Sequence, residues 1–98
     1  LVLTMEQGRD LAKTLGDNRV ALMRGHGGVV SGGDLRQSVM TAVYLQVNAR
    51  LLLQSLQLGV PNYLTPIEVE KCTARQFHPL SLDRAWEYWR ARAGGDSM

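Results

Sequence analysis

A chain of 98 residues with 45% hydrophobic side chains makes one domain at most, and one this short buries only about 60 to 65% of its unfolded surface, so it leans on partners or on further sequence. A formal net charge of +2, with the 11 basic residues spread along the chain rather than clustered, argues against a phosphate-backbone partner. No apolar run approaches the ~18 residues a membrane span needs, and the single Cys72 allows neither an internal disulfide nor a thiolate cluster, which suits a reducing compartment.

The chain opens on Leu1-Val2-Leu3, three apolar residues with no initiator methionine, read here as the end of a strand and as a sign of truncation at the N-terminus. Thr4-Met5-Glu6-Gln7 has the form of a capping box, because Thr4 can accept from the Gln7 amide while Gln7 reaches back. A helix is therefore expected through Leu11, Ala12 and Leu15, stopped by Gly16, with Glu6, Arg9, Asp10 and Lys13 on its solvated side. Asp17-Asn18 turn the chain into an apolar run from Val20 to Met23, and Val29-Val30 form a second; both read as short buried strands. Strand, helix and strand in alternation are the grammar of an α/β layer fold.

Between the two strands stands His26, flanked by Gly25, Gly27 and Gly28. Glycines there take away side-chain bulk, so that backbone, ligand or metal can come close to the imidazole. The plain alternative is a turn histidine in a tight hairpin.

Gly32-Gly33-Asp34 closes the second strand and caps the longest element, a helix from Leu35 to Leu58 ended by Gly59, roughly 36 Å long at 1.5 Å per residue. Projected at 100° per residue, it has two apolar faces separated by polar stripes. One carries Met40, Val43, Val47, Leu51 and Leu58; the other carries Leu35, Ala42, Leu45, Ala49, Leu52 and Leu56. A surface helix needs one such face, so this one is expected to be sandwiched between a sheet and other helices or a second subunit. Thr65-Pro66-Ile67-Glu68 starts a further helix with a cap, an N1 proline and an N3 glutamate, running to Phe77 and ended by His78-Pro79. Cys72, within it, reads as a buried structural thiol rather than a nucleophile, and His78 as a polar loop residue. Ser81-Leu82-Asp83 opens a last helix whose Trp86 and Trp89 are packing anchors at i, i+3 spacing, and Gly94 to Met98 should fray.

The stretch from about Leu1 to Gly59, and above all the run from Asp10 with its apolar strand, "HG" and glycine-capped helix, resembles the C-terminal part of the class II aldolase/adducin family, with a looser likeness through "LTPIEVE" to "RAWEYW". Residues 1–98 would then be a single partial domain, the C-terminal half of a three-layer α/β/α class II aldolase-like domain. The resemblance implies a divalent metal, zinc or manganese, held by a closely spaced histidine pair in the first half of the domain and by the histidine of the "HG" element, here His26. It also implies a carbon-carbon lyase cleaving a small hydroxy-carbonyl compound through a metal-stabilised enolate. Decarboxylation of a small oxo-acid or semialdehyde on the same scaffold is the alternative, and a non-enzymatic adducin-like interaction module is the third reading.

Many members carry asparagine before this histidine, where the chain has Gly25, and a glutamate in the long helix, where it has Gln46. The histidine pair and the acid/base carboxylate do not fall within these residues, so the 98-residue piece alone is expected to bind zinc poorly and to be inactive. A cyclic homo-tetramer with sites at subunit boundaries is implied too, with Trp86, Tyr88 and His78 as contributors by location, as are a small-molecule carbonyl substrate and a cytoplasmic setting.

Overall fold

A computed structural model of the chain describes residues 2–95. Four helices and one hairpin follow in order: α1 (Met5–Leu15), β1 (Val20–Met23), β2 (Gly27–Val30), α2 (Leu35–Leu58), α3 (Pro66–Gln76) and α4 (Pro79–Arg92). The chain is thus an α/β unit in which a two-stranded antiparallel sheet is set among helices. No helix of the described residues is long and apolar enough to cross a membrane.

The helix starts follow local chemistry. At α1 the Gln7 amide donates to Thr4 Oγ1 at 3.2 Å while Gln7 Oε1 accepts from the Thr4 amide at 3.1 Å. At α3, Thr65 and Glu68 repeat the arrangement at 3.3 and 3.0 Å. Each box satisfies two backbone groups that a helix end otherwise leaves bare. The bonds from the Thr65 backbone and side chain hold the exposed Glu68 carboxyl below its usual range. A carboxyl depressed in the folded state contributes stability that is present above its unfolded pKa and is lost as pH falls through the folded one. Glu68→Gln keeps the acceptor, as Gln7 does in α1, and should abolish this acid-range loss of α3, read by far-UV circular dichroism against pH.

The start of α4 differs from expectation. His78 caps α4, its Nδ1 accepting from the Leu80 amide at 3.2 Å, and Pro79 takes the first helical position. The last helix therefore begins two residues before Ser81, because a proline that cannot continue one helix is preorganised to start the next. Val2 and Leu3 lie outside any strand; the Leu3 amide is instead held by Gln7 Oε1 at 2.8 Å. Gly94 and Gly95 do not fray but fold back on α4, with Arg90 donating to the Gly95 carbonyl at 3.4 Å. Leu1 and Asp96 to Met98, which carried the rest of those two expectations, are outside the described residues.

The core sits where the first half of α2 crosses between the hairpin and α4. Ala21, Met40 and Leu82 are its buried apolar residues. Leu45 reaches Gly28 of β2 from one face of α2, and a Cβ built on Gly28 would meet Leu45 Cδ2 at 3.8 Å. On the other side, Met40 and Tyr44 share a cleft with Gln76, Ser81 and Ala85. Arg36 pairs with Asp83 and lies 5.8 Å from the Trp86 ring, fastening the start of α2 to α4. Arg19 stacks on Phe77 at 4.0 Å and ties the entry of β1 to the end of α3. The sandwich expected of α2 thus exists over its first half only. Farther along, Leu51, Leu53 and Leu58 are 54%, 66% and 92% exposed. The strands are also less covered than their sequence suggests, with Leu22 75% exposed.

Candidate metal centre

His26 ends the turn that joins the two strands. Their register pairs Val20 with Val30, Ala21 with Val29, Leu22 with Gly28 and Met23 with Gly27, leaving Arg24, Gly25 and His26 as the loop. The His26 amide donates to the Met23 carbonyl at 3.2 Å, and Gly25 takes the third turn position at φ 64°. That left-handed conformation is strained for a residue with a Cβ, and this is what selects glycine there. Gly27 follows at φ 148°. A Cβ at Gly25 or Gly27 would meet nothing within 4 Å, so these glycines serve backbone geometry and no atom of this chain crowds them.

Above the turn lies a groove of about 290 Å³ between α1 and the hairpin tip, its polar lining made by Gln7, Asp10, Thr14, Arg24 and His26 over a floor that includes Leu11 and Met23. Gln7 Oε1 is spent on the α1 capping box and Thr14 Oγ1 donates to the Asp10 carbonyl at 2.9 Å. Among the described residues, the side chains of Asp10, Arg24 and His26 make no hydrogen bond or ion pair within the chain. Asp10, expected on the solvated side of α1, is exposed but lines this groove. The spacing Gln7, Asp10, Leu11, Thr14 is the helical i, i+3, i+4, i+7 stripe that would have placed it there.

His26 does not meet the other candidates. His78 is engaged as a helix cap, and neither it nor Trp86 nor Tyr88 lines the groove. Cys72, expected to be buried, is exposed along a cleft of about 460 Å³ with Leu64, Glu68, Lys71, Ala74 and Arg75.

Among the described residues no group of three or more His, Cys, Asp and Glu side chains is arranged to hold a metal ion. The donor chemistry is compatible with one ligand of such a set, since a metal-binding imidazole needs one ring nitrogen free, and the His26 ring makes no hydrogen bond among the described residues. A catalytic zinc takes three protein ligands, so His26 alone would not make such a site and the set would need further donors.

No curated protein and no solved structure matches the chain. The sequence model of the class II aldolase and adducin N-terminal domain matches residues 2–53, a span that holds α1, the hairpin with His26 and most of α2. With more than half its length inside that match, the chain belongs to the class II aldolase and adducin family.

Proposed function

We propose that the complete protein is a metal-dependent carbon-carbon lyase of the class II aldolase type, in which His26 is one ligand of a divalent metal and the remaining ligands and the acid/base group come from sequence outside these 98 residues. The observation that supports this most is the unpartnered imidazole on a glycine-built turn, within the segment that carries the family match. When bound, a divalent metal supplies Lewis-acid polarisation of a substrate oxygen beside the bond that breaks. The chain's own part is positional: the turn fixes the His26 backbone, the two strands fix the turn, and α2 holds the strands from below through Leu45. The substrate is a small hydroxy-carbonyl compound, and the protein works as a homo-oligomer.

The test is metal analysis of the full-length protein together with product analysis on small hydroxy- and oxo-acids. About one zinc or manganese per chain with aldehyde release supports the lyase; carbon dioxide release would move the assignment to decarboxylation on the same site. A metal-free, inert protein overturns the enzymatic reading in favour of an interaction module.

A further inference from the structure

The groove beside His26 contains two opposite, solvent-exposed charges that make no hydrogen bond or ion pair among the described residues. Arg24 stands two residues before His26 in the same turn, and Asp10 faces the groove from α1. The one ion pair among the described residues, Arg36–Asp83, lies elsewhere, between α2 and α4. Of the other polar lining, the Gln7 side-chain carbonyl and the Thr14 hydroxyl are already engaged. A guanidinium in a fixed turn offers a planar pair of donors that fits a carboxylate. A carboxylate across the groove offers only acceptors, which fit a hydroxyl.

We infer that Arg24 and Asp10 are specificity-determining residues of the His26 site, selecting small ligands that carry a carboxylate and a hydroxyl on neighbouring carbons. Arg24 holds the carboxylate and Asp10 accepts from the hydroxyl, so the ligand lies along the gap between α1 and the hairpin tip with one end beside the His26 ring. This inference rests on His26 marking the site, but the two fail differently.

Lactate and propane-1,2-diol make the test, because they share the hydroxyl and differ in the carboxylate. Binding of each to the full-length protein is measured by titration calorimetry, with metal content and circular dichroism followed in every variant. The wild type should prefer lactate. Arg24→Gln should lower lactate affinity by about tenfold or more, the scale of one charge-assisted pair, and leave the diol unchanged; Arg24→Lys should recover part of the loss. Asp10→Asn should weaken both ligands together.

No preference for lactate in the wild type, or an unchanged lactate affinity in a folded Arg24→Gln protein, overturns the inference. An equal loss for lactate and diol in Arg24→Gln also overturns it, as the mark of general disruption. If His26→Ala keeps its metal while Arg24 still sets the preference for lactate, the metal assignment fails and this one stands.

Discussion

Replacing His26 with alanine in the complete protein should lower metal affinity by more than about 100-fold, with activity falling alongside. Changes to outer-shell partners of metal ligands alone cost about 10- to 100-fold, and removing a direct ligand exceeds that. The fold should barely notice. The His26 ring is exposed and makes no bond within the described residues, and the interaction that closes the turn uses its backbone amide, which alanine retains. Surface changes of this kind stay within about 0.5 kcal/mol. His78→Ala is the matched control: it removes the acceptor that caps α4, at about 1 kcal/mol, and leaves metal content as it was. Metal analysis and unfolding midpoints on the two variants therefore give opposite patterns. A His26→Ala protein that holds metal like the wild type ends the assignment.

The second large effect belongs to Met40. It is 3% exposed, on the face of α2 turned to α3 and α4, and its sulfur receives the Gln76 side-chain amide at 4.0 Å. Met40→Ala should cost about 2 to 5 kcal/mol through lost transfer energy and the cavity left behind. Set against a total of about 5 to 15 kcal/mol for a typical domain, that is a substantial share. The expected result is a lower urea midpoint with an unchanged slope. Leu58→Ala in the same protein separates the two halves of α2. With Leu58 92% exposed, a change within about 0.5 kcal/mol follows if that end stays bare, and a cost approaching that of Met40→Ala means something covers it.

What the sequence made legible was whatever depends on neighbours in the chain. Both threonine capping boxes, the proline at the first position of α3, and Asp34 and Gly59 at the ends of α2 each act within a few residues, and the helices start and stop where those residues say. The hairpin was readable for the same reason. Cys72 and Leu22 were misread as covered, and the far end of α2 finds no cover within this chain, because periodicity shows which side of an element is apolar without showing what lies against it. Pro79 was legible as a stop and missed as a start, since one residue served two helices. At the site, glycines pointed to His26, whereas Asp10 and Arg24 joined it only through the packing of α1 on the hairpin, which no local pattern announces.

The uneven covering of α2 has a dynamic consequence. Around Met40 and Thr41 the helix is clasped by the hairpin and α4, so opening its backbone bonds there requires breaking tertiary packing as well. Beyond Arg50 the same bonds have only their own helix to hold them, and local opening costs far less. Amide hydrogen exchange along this one helix should accordingly run from slow to fast toward Gly59. The gradient is itself a reporter, because any surface that settles on Leu51 to Leu58 would slow exchange at the far end while leaving the near end as it is.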